Sequence, residues 1–371
     1  MRILHLIYDD IHNPWLGGGG AAGTRYIAQF AAKKDYHTTI LCGSYPGSKD
    51  TDTSSCRIIH LGRAYTYLMS RITFTLFSLI YLFRNVSKYD LIIDDVSIFS
   101  PTFSFLFKKR VPVIANIRNI FGKNVYSKFS FAGIIPAIIE KLTLNCYDHY
   151  IVVAPYMKKY VNSKANRFVV PNGLDFSEIS SPAYNEKGRY LAFLGRIEIY
   201  QKGLDVLIGA IKIIAPLLRK NGYSFSFAGS GKDAHTLNKM LHENELSDIC
   251  RLHGRVVGKD KYKFLKESLL TVCPSRYEAM PRVPLESQAC GTPVIATDIP
   301  AFSFVVDKDE TGFLVETGNV DQLAEKISLL LTDSELRETM AKKAYSFSKK
   351  FDRRIFLKQR IQIYDSIALN R

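Results

Sequence analysis

Two glutamates eight positions apart, Glu278 and Glu286, stand in the string SRYEAMPRVPLESQACGTPVIATD (275–298). Pro284 suits the first position of a helix, Gly291 suits its end, and Pro293 lies just past it. Glu286 is then expected in the first helical turn, where free backbone N–H groups and the helix dipole favour negative charge. A carboxylate held there can accept two neighbouring hydroxyls, such as the pair on a ribose. The loop N–H groups between Ala279 and Arg282 can bind an anionic group, and Glu278 is expected at the end of the preceding strand, on the ligand side. A helix cap and a solvated side chain would explain either glutamate alone. The whole string carries the functional reading.

A second constellation is cationic. LGRIEIYQKGLDVLI (194–208) ends a strand at Gly195 and sets Arg196 and Lys202 before a helix. Two fixed cations beside helix N–H groups make a diphosphate site, since charge-assisted hydrogen bonds are about twice as strong as neutral ones. Gly229 and Gly231 in FAGSGKD (227–233), and Gly254 in LHGRV (252–256), serve either as tight turns or as places where backbone comes close to a nucleotide. NPWLGGGGAAGTRYIAQF (13–30) puts four consecutive glycines, Gly18 and Gly19 among them, before a helix. It lacks the Lys-Ser/Thr of a P-loop and the spacing of a dinucleotide fingerprint. It reads as a loop that admits phosphate or sugar, or as a bare connection.

These residues need elements to hold them at strand ends. The chain has 371 residues, more than one core usually serves. Short Ile/Val/Leu-rich runs recur at 2–8, 38–43, 58–61, the 90s, 111–117, 149–154 and 167–173, with helix-length stretches between many of them. That alternation predicts a parallel sheet covered on both faces. The pattern restarts at 189–197, 223–231, 250–256, 269–276, 292–298 and 312–315, after a Gly/Ser/Pro-rich segment at 172–188 that reads as a linker. The expectation is an α/β chain of two Rossmann-like, doubly wound parallel-sheet domains facing a cleft. They span 1–172 and 173–353, with a terminal helix, 354–371, docking through one apolar face. Ligands in such sheets sit beyond the carboxyl ends of the strands.

Four strings together resemble the family 4 (group 1) retaining glycosyltransferases of the GT-B fold. They are the Glu278-x7-Glu286 segment with ACGTPVIATD, GR and KG at 195–203, VVPNGLD at 169–175, and ETGFLV at 310–315. The resemblance implies an acceptor-binding first domain and a second domain that holds a nucleotide-sugar donor. By that analogy Arg196 and Lys202 neutralise the diphosphate, Glu286 binds the ribose hydroxyls, and Glu278 approaches the transferred sugar. The Met280, Pro281 and Arg282 stretch helps hold that sugar, and the terminal helix crosses back onto the first domain. The transfer keeps the anomeric configuration and needs neither cofactor nor metal. The chain carries no D-x-D string; Asp94 and Asp95 are an adjacent pair. It departs from the family in VIANIRNIFGKN, where Arg118 and Asn119 stand in place of the histidine of many members. Arg118 is expected near the phosphate or the donor sugar, but its pKa is too high for it to act as a base.

Composition adds a partner. The net charge is +15, and residues 53–139 hold 11 basic residues against three acidic ones, Asp90, Asp94 and Asp95. Residues 72–83, ITFTLFSLIYLF, are too few to span a bilayer, which takes about 20. With Arg63, Arg71, Arg84 and Lys88 around them, and with IFSPTFSFLFKKR (98–110), they read either as ordinary buried helices or as an element gripping anionic lipid. An acceptor on a polyprenyl diphosphate would explain both charge and grease. Six cysteines without a C-x-x-C pair fit a reducing compartment, and residues 2–8 are too short for a secretory signal. The expected setting is cytoplasmic, peripheral at the inner face of the membrane, in the assembly of a capsule, O-antigen or exopolysaccharide. The donor is UDP- or GDP-linked and the acceptor lipid-linked or an oligosaccharide. A nucleotide-sugar epimerase of the same fold is the nearest alternative. A basic nucleic-acid-binding protein is the alternative of a different class, but no RNA-binding or helix-turn-helix string accompanies the charge, so a nucleic-acid partner is not expected.

Overall fold

Every residue of Leu91–Asp95 and of Val113–Ile117 is buried. Strands of this kind need cover on both faces, which helices packed on either side of a parallel sheet supply. The structure, a computed structural model, describes residues 1–15, 19–122, 134–179 and 188–369. The chain divides into two compact units, Met1–Pro171 with Phe356–Arg371, and Asn172–Ile355.

The first unit holds β1 (Arg2–Leu6), β2 (His37–Gly43), β3 (Thr51–Asp52), β4 (Cys56–Leu61), β5 (Leu91–Asp95), β6 (Val113–Ile117), β7 (His149–Val152) and β8 (Asn166–Val169). They form an eight-stranded sheet in the order β3-β4-β2-β1-β5-β6-β7-β8. All pairs are parallel except β3 with β4. From β1 the chain winds outward to β4, then returns to β5 on the other side of β1. The switch point therefore lies between β1 and β5. One face packs Ile3, Leu91, Ile93, Ile114 and Ile151 against Ile27 and Ala31 of helix Gly19–Ala32. Ile361, Tyr364 and Ile367 of the terminal helix Arg353–Leu369 complete the same cluster. Arg360 of that helix, also buried, donates to Asn116 Oδ1 (3.1 Å) and to the Val170 carbonyl (3.3 Å).

The second unit holds β9 (Tyr190–Leu194), β10 (Ser224–Ala228), β11 (Cys250–Leu252), β12 (Thr271–Cys273), β13 (Val294–Thr297) and β14 (Gly312–Val315). Its six strands run β11-β10-β9-β12-β13-β14, all parallel. The switch point is between β9 and β12. Phe193, Phe225, Phe227, Val272 and Ile295 meet helices Leu204–Asn221 and Val320–Thr332 on one face. Tyr262, Phe264 and Leu265 cover Ala192, Leu194 and Ala228 on the other.

Every strand read from the sequence is present, and β3 is an addition. The segment read as a linker behaves differently over its described part. Leu174 N–H donates to the Phe351 carbonyl (2.7 Å), Arg353 N–H donates to the Leu174 carbonyl (2.8 Å), and Arg353 pairs with Asp175 (3.1 Å). Residues 172–179 are thus stitched to residues 351–353, while 180–187 lie outside the described residues.

Candidate functional site

At the carboxyl end of β9 the chain passes through Gly195 and Arg196 into the short helix Ile199–Lys202. Gly203 ends it in the left-handed region, with φ of 63°. A β-carbon on Gly203 would overlap the Pro274 carbonyl, so only glycine lets this turn seat against the loop that follows β12. The seating brings Lys202 Nζ onto Glu278 Oε1, and the Ser275 hydroxyl donates to the same oxygen at 3.1 Å. The Lys202 and Glu278 side chains are 16% and 15% exposed, so water screens this pair less than it would a surface one. Lys202, Ser275, Glu278, Met280, Pro281 and Arg282 line a cavity of about 100 Å³, walled by Phe193, Leu194, Cys273 and Phe302. Burial pushes the Cys273 thiol up to about 12, which keeps it an inert part of the wall.

Glu286 stands elsewhere than its spacing implied. The helix runs Arg282–Ala289 with Pro281 at the N-cap, so Glu286 is the fifth helical residue and not in the first turn. The first four N–H groups of a helix have no partner within it. Pro284 therefore fits the third position as readily as the first and does not mark the start. Glu286 is buried, and its Oε1 accepts from Lys261 Nζ at 2.9 Å and meets Arg282 Nη2 at 3.1 Å. A buried carboxylate requires such partners. Arg282 thus touches both clusters, lining the cavity and holding Glu286. No side chain caps this helix. Pro281 carries no N–H, so the loop offers fewer amide donors than its length suggests.

Sequence reasoning missed Lys261. It lies on helix Gly258–Glu267, among lysines at 259, 263 and 266. The helical period could have separated it from the others. It stands three and four residues before the buried Phe264 and Leu265, and so flanks the inward face.

The remaining expected residues divide. Arg196 is 60% exposed and pairs with Glu198 at 3.0 Å, outside the cavity lining. Gly229 and Gly231 are explained by the protein itself: a β-carbon on either would overlap the carbonyl of Gly195 or of Ile197, because the loops after β9 and β10 lie backbone to backbone. Gly254 has φ of 66° and open space around it, and its carbonyl accepts the Gly229 N–H at 2.6 Å. Gly19 opens helix Gly19–Ala32 with open space beside it, and Gly18 lies outside the described residues.

Arg118 is committed within the first unit. Its Nε and Nη2 donate to the two oxygens of Asp95 at 2.7 and 3.0 Å, and Nη2 also reaches Thr24 Oγ1 at 3.1 Å. His5 Nε2 lies 2.8 Å from the same carboxylate. Burial alone would raise the Asp95 carboxyl, but the Arg118 guanidinium and His5 hold it well below the usual range. The fork expected on a phosphate or sugar is thus locked on Asp95, and Arg118 acts as a clamp between β5, β6 and helix Gly19–Ala32. Its neighbour Asp94 accepts from Thr102, Ser104 and Tyr147, each at 2.6 Å. A further carboxyl that the sequence did not flag is Asp9, just past β1, which burial pushes up to about 6.

Among the described residues Asp10, Cys42 and His60 bring possible metal-ligating atoms within 4.8 Å of one another. The carboxylate is already engaged: Oδ1 accepts from His12 N–H (2.9 Å) and Tyr45 OH (3.1 Å), and Oδ2 from Arg25 (2.7 Å). The Arg25 guanidinium supplies the countercharge a metal would bring, so we derive no chemistry through a metal there.

Residues 176–347 match the family model for glycosyl transferases group 1, and residues 17–178 match that for glycosyltransferase family 4. An uncharacterized glycosyltransferase of Methanocaldococcus jannaschii is 34% identical over 206 residues, 55% of this chain and 55% of that protein. The capsular polysaccharide biosynthesis glycosyltransferase CapM of Staphylococcus aureus is 27% identical over 245 residues, 60% of this chain and 63% of its own. The chain thus spans between half and two thirds of the length of these two relatives. Among solved structures, Anabaena HepE in complex with UDP and glucose has a TM-score of 0.76 at 17% identity, covering 99% of this chain and 100% of that one. At that identity the likeness shows the fold alone: two Rossmann-like parallel-sheet units, as the GT-B resemblance implied.

Proposed function

The chain belongs to the family 4, group 1 glycosyltransferases, and from that premise we propose that it transfers a hexosyl group, with retention, from a UDP- or GDP-linked donor to a lipid-linked or oligosaccharide acceptor. The observation that carries the reading is the Lys202–Glu278–Ser275 cluster with Arg282, lining one cavity beyond the carboxyl ends of β9 and β12. That is where a doubly wound sheet holds its ligand. The relatives support the substrate classes: one is named for capsular polysaccharide biosynthesis, and one fold neighbour was solved with UDP and glucose.

In this reading the leaving group is a nucleoside diphosphate, and negative charge grows on its β-phosphate as the glycosidic bond breaks. Lys202 and Arg282, with Arg196 swinging from Glu198, meet that charge. The N–H groups at the start of helix Arg282–Ala289, which no side chain caps, add to that charge stabilisation. Groups fixed before the reaction stabilise the transition state more than the ground state. Glu278, oriented by Ser275 and released by Lys202 when the diphosphate arrives, faces the sugar. Glu286 exchanges a cationic partner for the ribose hydroxyls. The attack comes from the face the leaving phosphate departs, assisted by that phosphate, which keeps the anomeric configuration without a carboxylate nucleophile. The first unit takes the acceptor, at the inner face of a membrane, in the assembly of a cell-surface polysaccharide.

A nucleotide-sugar panel read by thermal shift and by slow donor hydrolysis tests this. One UDP- or GDP-sugar should raise the melting temperature and be hydrolysed. Lys202→Ala should weaken its binding by about 2 kcal/mol, roughly thirtyfold. A chain stabilised by no nucleotide sugar, or one that interconverts a sugar without transferring it, contradicts the proposal.

A further inference from the structure

Helix Tyr67–Asn85 shows the sheet one side only. Ser70, Phe74, Ser78 and Leu82, four residues apart, are its buried row. On its other side Leu68, Ile72, Leu76 and Phe83 are each more than half exposed. A helix on the surface of a domain ordinarily carries charge there, yet no charged residue occurs from Ile72 to Phe83. Helix Ile134–Cys146 repeats the feature: Glu140, Thr143 and Leu144 are buried, while Ile135, Ile138 and Leu142 are more than half exposed. Leu106, in the 3-10 turn Ser104–Phe107, is exposed to the same degree.

These three segments belong to one layer. They lie in the crossovers from β4 to β5, β5 to β6 and β6 to β7, which all step the same way along the sheet. Right-handed crossovers put them on one face, opposite helix Gly19–Ala32, whose crossover steps the other way. Phe83 packs edge-on against Phe107, ring centroids 4.9 Å apart, and joins the first segment to the second. Each of the three segments thus turns exposed apolar side chains outward from this layer, as an interaction site does.

Charge identifies the occupant. Arg63, Arg84, Lys88, Lys109, Arg110 and Lys141 are exposed on the same segments and their flanks. Of the acids between residues 53 and 148, Asp94, Asp95 and Glu140 are buried, Asp90 is half-buried, and exposed Asp148 is paired with Lys108 at 2.8 Å. A protein partner would meet one sign of charge without its complement, whereas an anionic lipid surface offers apolar chains under a layer of phosphates. No helix among the described residues is long and apolar enough to cross a membrane. We propose that this face of the first unit lies in the interface of an anionic bilayer, with Leu68, Ile72, Leu76 and Phe83 among the acyl chains and the basic rim on lipid phosphates. The inference deepens the membrane setting of the proposed function and rests on that reading for its purpose, but its geometry stands apart from the donor site.

The test is flotation of the full chain with vesicles of phosphatidylglycerol and phosphatidylethanolamine, against vesicles of phosphatidylcholine, at low and high salt. The chain should float with the anionic vesicles and lose about tenfold or more in affinity on the neutral ones or in high salt. The triple variant Leu68→Glu, Ile72→Glu, Leu76→Glu changes only side chains that are more than half exposed. It should keep its urea midpoint and its hydrolysis of free donor, and stay at the bottom of the gradient. A triple variant that floats like the parent overturns the proposal. So does a parent that ignores vesicles and instead forms a dimer, seen by light scattering, that the same variant dissolves. Floating chains that hydrolyse no donor would leave this face standing and overturn the catalytic reading alone.

Discussion

Glu286 and Lys202 are the residues on which the chemistry depends, and each is paired within the protein before any ligand arrives. Lys202 is held by Glu278, and Glu286 by Lys261 and Arg282. Such pairing keeps buried charges tolerable in the empty site and sets the exchange that a diphosphate and a ribose would make. It also separates two effects in one variant. Glu286→Ala should lower the melting temperature, because two cations lose a buried partner at a cost of about 1–3 kcal/mol. It should also abolish the extra stabilisation by nucleotide sugar. Thermal unfolding with and without the donor measures both. An undiminished donor shift would mean the ribose is held elsewhere. The sequence marked Lys202, Glu278 and Glu286 by their expected places at strand ends and helix starts, beside glycine and proline, and by the strings that resemble the family. It could not show that Arg118 faces inward: the guanidinium is captured by Asp95, 23 residues away on another strand. Nor could it show that Arg196 turns to its near neighbour Glu198.

At the level of elements, the strands were legible because most are uninterrupted apolar runs bounded by turn residues. β3 escaped because its two residues carry no period, and both are exposed. Helix starts were less legible: proline marks a first turn without saying which position in it, which moved Glu286 out of the expected turn. The glycines were legible as glycines but not in purpose. Gly229 exists for the Gly195 carbonyl, and this backbone contact holds the loop that leads from β9 to Lys202. Gly229→Ala should therefore cost about 1–3 kcal/mol as overpacking, in addition to the strain of its own positive φ of 153°. Gly254→Ala, in open space, should cost only the positive-φ strain of about 1 kcal/mol. Urea midpoints of the two variants give the comparison, and equal losses would show that the two loops do not meet as described.

For the molecule as a whole, the doubling of the βα pattern announced two parallel sheets, and two are present, the first with one antiparallel edge strand, β3. The terminal helix was legible as a docking face, and Ile361, Tyr364 and Ile367 do enter the core of the first unit. The uneven charge was also visible in the sequence, but its arrangement needed the sheet order. Three consecutive crossovers place the basic, apolar segments on one side of the first unit, while the cationic cluster of the second unit sits on short loops beyond β9 and β12. The account turns on where a donor's diphosphate comes to rest. Crystals of the chain soaked with the nucleotide sugar that the panel selects measure this directly. The diphosphate should lie within hydrogen-bond distance of Lys202, beside the first N–H groups of helix Arg282–Ala289, with the ribose on Glu286. A diphosphate bound away from Lys202, with the Lys202–Glu278 and Glu286–Lys261 pairs intact, would contradict it.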